Sequence, residues 1–100
     1  MYLVDFINYI KSEKRFSNNT ITSYETDLNQ FFNYIHTEYQ ISKLQDVSFK
    51  LIRNWISSLL ENSLKPSTVN RKISSLKTYY KFLVVSNHIK INPTLKLISP

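Results

Sequence analysis

The sequence predicts an all-α protein, because apolar residues recur at helical spacing in four segments and signals for β-strands are missing. Residues three and four positions apart lie on one face of a helix, and the apolar residues of these segments follow that spacing. No sustained alternation of apolar and polar residues occurs, and glycine, which tight hairpin turns normally use, is absent altogether. The expected fold is therefore a compact bundle of helices.

The absence of glycine also bears on how these helices end. A helix commonly ends at a residue in the left-handed conformation, which is usually glycine and sometimes asparagine. We therefore expect asparagine to fill any such positions. Five asparagines fall at predicted helix boundaries, namely Asn18, Asn19, Asn62, Asn87 and Asn92.

The first two predicted helices each bury one apolar stripe. The first spans about residues 2–14, and its stripe consists of Leu3, Phe6, Ile7 and Ile10. The second spans about residues 20–39, with Asn18 or Asn19 as its expected N-cap. The stripe of the second helix consists of Ile21, Tyr24, Leu28, Phe31, Phe32 and Ile35.

The other two predicted helices differ in the width of their apolar faces. The third, about residues 48–61 with Ser48 as the expected cap, is apolar around roughly half its circumference, so we expect it to be the central helix. The fourth begins at Pro66, which is tolerated at a first helical position, and runs to about Val85. Its apolar stripe is narrow. Phe82 and Val85 interrupt its polar face, and we expect the C-terminal tail to cover them.

The end of the sequence predicts a linker. Asn92-Pro93 and Ser99-Pro100 interrupt any helix, because the residue before a proline disfavours the helical conformation. We therefore assign residues 1–88 to the helical domain. Residues 89–100 are interpreted as a short turn and the start of a linker.

The composition argues against a catalytic, metal-binding or membrane protein. Cysteine is absent and histidine occurs twice, so we expect no disulfide, no metal site and no thiol nucleophile. No glycine-rich phosphate loop or HExxH motif is present, so we expect no cofactor. The longest apolar run, residues 82–85, is far shorter than the roughly 20 residues of a membrane span. The first residues lack the basic segment of a signal peptide. The expected location is cytoplasmic.

The chain contains seven tyrosines, and a tyrosine can act as a nucleophile when it is ionised to the phenolate. Tyr24 and Tyr80 lie on predicted apolar stripes and Tyr79 flanks one of them, so packing is the expected role of all three. The acidic residues are dispersed along the chain and form no pair suited to acid–base chemistry. We therefore expect no catalytic residue in this chain.

Charge is distributed unevenly and points to a polyanionic partner. Thirteen lysines and arginines against seven acids give a net charge of +6. All seven acids lie within residues 1–61, whereas residues 62–100 contain seven bases and no acid. A stretch of the chain that carries only positive charge is typical of a protein that binds a polyanion such as nucleic acid.

The polar face of the fourth helix mixes basic and small hydroxyl side chains. It consists of Ser67, Arg71, Ser74, Thr78 and Lys81, flanked by Lys77 on one side and Lys72 on the other. Lysine and arginine neutralise phosphates, and short polar side chains form hydrogen bonds with phosphates or base edges at close approach. The alternative is an ordinary solvated helix face. A protein–protein adaptor, with Phe82 and Val85 as its exposed apolar patch, is a second hypothesis.

Two segments resemble the N-terminal core-binding domain of tyrosine recombinases, the family of phage integrases and Xer proteins. Residues 17–35, SNNTITSYETDLNQFFNYI, resemble the family pattern NT-x-x-x-Y-x-x-D-L-x-x-F-x-x-Y. Residues 65–83, KPSTVNRKISSLKTYYKFL, are similar to its helix s-x-S-T-V-N-R-x-L-S-A-L-R-x-F-Y-x-F-L, and Asn92-Pro93 matches its closing NP. The resemblance covers nearly the whole chain.

The resemblance implies a SAM-like bundle of four or five helices that forms half of a clamp around double-stranded DNA, with two helices against the major groove. By position these are the second and fourth helices. The DNA-binding candidates carried over are Asn19, Thr20 and Ser23 on the second helix and Ser67, Thr68, Asn70, Arg71, Ser74, Lys77, Thr78 and Lys81 on the fourth.

The resemblance also implies what this chain lacks. The family's catalytic residues would all lie beyond Pro100, so we expect a fragment that binds DNA and does not cut it. We expect this domain to be a monomer alone and the full-length protein to form a tetramer on DNA. The family commonly has glycine in the turn before the fourth helix, where this chain has residues 61–64, ENSL.

Overall fold

The computed structural model describes residues 1–98, and over that range the chain is all-α, as predicted. Four α-helices and one short 3₁₀ turn follow one another with no strand among the described residues. Their bounds are α1 Leu3–Ser12, α2 Asn18–Tyr39, the 3₁₀ turn Leu44–Asp46, α3 Phe49–Glu61 and α4 Pro66–Val85. The radius of gyration is 13.0 Å, as expected for a compact domain of this length. No helix in the described part is long and apolar enough to span a bilayer.

Serine side chains cap two of the helices. The Ser48 hydroxyl accepts a hydrogen bond from the Leu51 N–H at 3.3 Å, which confirms the predicted start of α3. At α2 the prediction of Asn18 or Asn19 was wrong, because Ser17 is the cap and its hydroxyl accepts from the Thr20 N–H at 3.2 Å. Ser17 has an extended backbone, and its hydroxyl reaches the third helical residue, as an N-cap requires.

Among residues 1–98, five adopt the left-handed conformation, and asparagine fills one of these positions. They are Tyr2, Arg15, Gln40, Ser63 and Asn87, with φ between 52° and 63°. The expectation that asparagine would replace glycine is therefore confirmed at Asn87 and wrong elsewhere. Four of the five follow the C-terminal end of a helix, whereas Tyr2 is the N-cap of α1.

Ser63 offers a direct test of the strain in a left-handed backbone. A Ser63→Gly substitution is expected to raise the free energy of unfolding by about 0.5–1 kcal/mol, because a left-handed backbone costs a non-glycine residue about 1–2 kcal/mol and the more flexible unfolded chain returns part of the gain. Asn62→Gly is the matched control, since Asn62 has a φ of −83° and gains nothing from glycine. Urea denaturation of both variants checks the prediction. A lower stability for Ser63→Gly would contradict it.

The central helix is α4, and the prediction that α3 would be most buried was wrong. Nine residues of α4 are buried, against three of α3. The apolar stripe of α4 is extended sideways by Lys72, Ser75, Tyr79 and Phe82, all of which are buried. The sequence placed Lys72 beside the polar face and made no assignment for Ser75, so the buried face of α4 was predicted to be too narrow. Both α2 and α3 pack against α4.

Helix α1 covers the C-terminal half of α4 through aromatic contacts. The Phe6 ring lies edge-on to Tyr79 with ring centroids 5.3 Å apart, and Phe82 lies 5.6 Å from Phe6 and 4.9 Å from Tyr9. The expectation that the tail would cover Phe82 was therefore wrong, because α1 does so. Val85 remains exposed, at 71% of its maximum.

The residues after α4 fold back onto the bundle. Thr94 and Leu97 are buried, and the Asn92 side chain accepts hydrogen bonds from the Thr94 N–H and hydroxyl at 2.9 and 2.7 Å. The Lys77 ammonium of α4 donates to the Leu97 carbonyl at 3.0 Å. The division between domain and linker at residue 88 stays a prediction. The last part of the expected linker, residues 99–100, lies outside the described residues.

Candidate nucleic-acid interface

The predicted polar face of α4 lies on the side of the helix that the bundle leaves uncovered. Ser67, Arg71, Ser74 and Lys81 are exposed, whereas Thr68, Asn70, Lys77 and Thr78 are half-buried. Within residues 1–98 the Oδ1 atom of Asn70 is buried and has no hydrogen-bond partner. Seven of the eight α4 candidates lie along one exposed arc and its edges, whereas Thr68 lies to one side of it, next to the position of the buried Ser75.

Lys72 was predicted to flank this face, and that prediction was wrong. Its side chain is 5% exposed, and its ammonium donates to a carboxylate oxygen of Asp27 at 2.9 Å and to the side-chain oxygen of Gln30. Lys72 points from α4 towards α2, away from the polar face. A buried ammonium is tolerated only when it is paired in this way.

Asp27 is the residue that sequence reasoning missed. It lies on α2 and is 1% exposed, and its two carboxylate oxygens accept hydrogen bonds from three side chains of α4. The donors are Arg71 Nε at 3.2 Å and Nη2 at 2.8 Å, Lys72 Nζ at 2.9 Å and Ser75 Oγ at 2.8 Å. One carboxylate therefore connects the two helices that were predicted to contact DNA.

The hydrogen bonds keep the Asp27 carboxylate ionised. Burial alone would raise its pKa, but the hydrogen bonds from Arg71, Lys72 and Ser75, together with the charge of Lys72, outweigh burial and hold the pKa below its ordinary value. The same bond from Arg71 raises the pKa of that guanidinium. A sequence signal did exist, because Asp27 is an acid one residue before Leu28 on the apolar side of α2.

The three α2 candidates lie near the start of that helix. Asn19 is exposed, and Thr20 and Ser23 are half-buried. The Thr20 hydroxyl is hydrogen-bonded to the Ser17 hydroxyl at 2.9 Å, so it takes part in the cap. Ser23 precedes Asp27 by four residues and therefore lies one turn away on the same side of α2. The Asp27 contacts hold this edge of α2 beside the polar face of α4.

The returning tail lies beside the C-terminal part of the same face. A shallow cleft of about 400 Å³ is lined by Lys77, Lys81, Asn92, Thr94 and Leu95. Lys77 is engaged by the Leu97 carbonyl, whereas Lys81 is exposed. Lys81 is therefore the freer of the two ammonium groups.

The tyrosines of α4 belong to the core, as predicted. Tyr79 and Tyr80 are fully buried, and the Tyr79 hydroxyl donates to the Met1 carbonyl. Burial raises the pKa of both phenols well above the ordinary value, so neither forms a phenolate near neutral pH. These two side chains are packing residues.

The fold and this face together define a small helical domain with a basic, hydroxyl-rich surface on its central helix. The family described as "Phage integrase, N-terminal SAM-like domain" matches residues 3–87. The chain therefore belongs to that family, as the sequence resemblance implied.

The curated relatives carry the names of tyrosine recombinases. The chain is 39% identical over 99 residues to tyrosine recombinase XerD of Rickettsia bellii, covering 99% of this chain and 32% of the relative. It is 39% identical over 97 residues to tyrosine recombinase XerC of Staphylococcus haemolyticus, covering 97% of this chain and 32% of the relative. XerC of Listeria welshimeri is 42% identical over 88 residues, or 88% of this chain and 29% of the relative. The chain spans about a third of these relatives. No solved structure matches it significantly.

Proposed function

We propose that this chain is the DNA-binding domain of a site-specific tyrosine recombinase, and that α4 and the first turns of α2 lie in the major groove. The observation that carries the proposal is the exposed arc of α4, which combines bases with short hydroxyl side chains. No acid occurs between residues 62 and 100, so nothing on that arc repels a phosphate backbone. The major groove of B-DNA is wide enough for an α-helix to enter it.

The proposal divides the DNA contacts between the two helices. The exposed and half-buried candidates on α4 form the main contact, and Asn19, Thr20 and Ser23 contact the backbone from α2. Because the Asp27 contacts fix α2 against α4, both edges approach the duplex as one rigid surface. Phosphate contacts set the position of such a surface, and base contacts supply the sequence information.

The chain spans about a third of its relatives, and the rest of their length leaves room for a further domain. We propose that this domain binds DNA without cutting it, and that the residues for strand cleavage belong to a further domain of the full-length protein. The domain alone would be a monomer, and the full-length protein would assemble as a tetramer on DNA. With DNA as its ligand, the proposed place of action is the cytoplasm.

Binding to a random-sequence duplex at several salt concentrations tests the proposal. If roughly three to five phosphates are neutralised, the logarithm of the binding constant falls with the logarithm of salt with a slope of about −3 to −4.5. Lys81→Gln is expected to make that slope shallower by about one, because Lys81 is exposed and unpaired by acids among residues 1–98. Lys11→Gln, an equal charge change on α1, is the control and should leave the slope nearly unchanged.

Amide chemical shifts measured in the same titration identify the surface. Shifts concentrated in residues 19–26 and 67–81 are expected. Absence of binding at low salt, or equal effects of Lys81→Gln and Lys11→Gln, would contradict the assignment of the α4 face.

An apolar cleft favours a protein–protein interaction module as the second candidate. The cleft has a volume of about 730 Å³, and its lining includes Ile91 and Leu95, which are 82% and 80% exposed. Phe82, one of the two residues predicted for an exposed apolar patch, is buried, whereas Val85 is exposed. This candidate predicts self-association or partner binding that changes little with salt. Analytical ultracentrifugation at low and high salt separates it from DNA binding.

A further inference from the structure

Arg71 differs from the lysines of the α4 face because its guanidinium is held at two points. Its Nε and Nη2 donate to the two carboxylate oxygens of Asp27 at 3.2 and 2.8 Å. Asp27 is itself buried and is fixed by Lys72 and Ser75. The position of the guanidinium is therefore set by the α2–α4 packing, whereas the exposed Lys81 has no ion pair among residues 1–98 that would fix its ammonium.

The two bonds to Asp27 occupy one edge of the guanidinium and leave another edge free. A guanidinium has five N–H donors in a planar fork, and Asp27 engages the Nε–Nη2 edge. The end edge, made of Nη1 and the second hydrogen of Nη2, carries two parallel donors. The Arg71 side chain is 45% exposed, so solvent reaches it despite the contact with Asp27. Two parallel donors are what guanine O6 and N7 accept in the major groove.

The fixed direction of its donors favours a base over a phosphate as the partner of Arg71. Arg71 and Lys72 share the Asp27 carboxylate at 2.8 and 2.9 Å, so this cluster keeps a positive charge near the duplex while the guanidinium cannot turn freely towards a phosphate. Hydrogen bonds to a base edge depend on the direction of the donors, and Asp27 fixes that direction. Lys81 is exposed and has no acid within ion-pair distance among residues 1–98, so it suits a phosphate contact.

The neighbours of Arg71 leave room for a base pair to approach. Residues three and four positions away on a helix flank a side chain. At Arg71 all four of these neighbours carry hydroxyls, namely Ser67, Thr68, Ser74 and Ser75. None is long enough to hold a duplex away from the guanidinium.

We infer that Arg71 is a specificity-determining residue that recognises a guanine in the major groove, and that Asp27 is the positioning residue that aims its free edge. This inference rests on the proposed DNA-binding function and adds to it the kind of contact that one residue makes. The lysines of the face then supply affinity for any duplex, and the Asp27–Arg71 pair supplies preference for one base pair.

Selection from a pool of duplexes with a randomised central segment tests the inference. The wild-type domain is expected to enrich guanine at one position by at least about fivefold. Arg71→Lys retains the charge but lacks the fork, so it is expected to lose that enrichment while the salt slope on the unselected pool stays the same. Lys81→Gln is the matched control, which should weaken binding to all duplexes and keep the guanine preference.

Asp27→Asn tests the positioning role separately. It removes an acid beside the DNA-binding face, so average affinity for the pool is expected to stay equal or rise while the guanine preference falls. A purely structural role would lower affinity and preference together. Circular dichroism establishes that the variant is folded at the temperature of the assay. If it is not folded, Asp27→Glu takes its place, because it keeps the counter-ion of Lys72 but displaces the carboxylate by one methylene, and it is likewise expected to lower the guanine preference.

The outcomes separate this inference from the function on which it rests. No binding of the wild-type domain to any duplex at low salt would overturn the proposed function. Binding without a preferred base, or a guanine preference that survives in Arg71→Lys, would overturn the role of Arg71 and leave DNA binding intact. Loss of preference in Arg71→Lys with a retained preference in folded Asp27→Asn would overturn the positioning role of Asp27.

Discussion

Asp27→Asn is expected to lower the free energy of unfolding by about 3–5 kcal/mol at neutral pH, because it leaves the ammonium of Lys72 buried without its counter-ion. The substitution keeps the size of the side chain, so the loss reports the charge and its hydrogen bonds. For a domain whose total stability falls in the usual range of about 5–15 kcal/mol, this is a large fraction. Urea denaturation followed by circular dichroism measures the change.

Glu25→Gln is the matched control for this substitution. Glu25 lies two residues earlier on α2, is exposed and loses the same charge. Its effect is expected to stay within about 0.5 kcal/mol, as for most surface positions. Equal losses in the two variants would show that the Asp27 contacts contribute no more than a surface carboxylate does.

The stabilising effect of Asp27 is also expected to depend on pH. The pKa of Asp27 is lowered in the folded state, so its stabilising effect is fully present above the unfolded pKa of about 3.9 and is lost as the pH falls through the lower folded value. The difference in unfolding free energy between wild type and Asp27→Asn should therefore be largest near neutral pH and should shrink below about pH 4. A difference that stays constant down to pH 2.5 would contradict the charge contacts.

The missed pairing of Asp27 shows what helical periodicity leaves out. Periodicity placed Arg71 on the polar face of α4 and Lys72 beside it, which is correct for Arg71 and wrong for Lys72, and it made no assignment for Asp27. The contacts of Asp27 and Lys72 join residues 42 to 48 positions apart, and only the packing of α2 against α4 brings these residues together. Local pattern located the helices well because capping and apolar spacing act within a few residues of the chain.

The same limit explains the errors in burial. The bounds of α4 were predicted correctly at Pro66 and Val85. The central position in the bundle, however, was predicted for α3 and belongs to α4. When a helix buries polar side chains against a neighbouring helix, its sequence shows an apolar face narrower than the face that is actually buried. The face that remained exposed was predicted correctly, apart from Lys72, because a lysine or a hydroxyl is costly to bury unless a partner such as Asp27 satisfies it.

The contact of α1 with α4 is the second place where a large effect is expected. Phe6 is fully buried between Tyr79 and Phe82, and its ring meets the Tyr79 ring edge to face, a favourable geometry for aromatic pairs. Phe6→Ala is expected to lower the free energy of unfolding by about 3–5 kcal/mol, since it removes a buried ring and leaves a cavity. Val4→Ala, on the same helix at 74% exposure, is the control and should change it by less than about 0.5 kcal/mol.

This substitution also separates stability from the proposed DNA contact. Phe6 of α1 packs against one side of α4, whereas the proposed DNA-binding face lies on a side of α4 that no helix among residues 1–98 covers. Below its unfolding transition, Phe6→Ala should therefore bind a random-sequence duplex with the same salt slope as wild type. A shallower slope in the folded variant would mean that α1 takes part in the DNA contact, or that its packing sets the orientation of α4. An unchanged slope together with the loss of stability would show that the two sides of α4 act independently, one holding the bundle together and the other meeting the ligand.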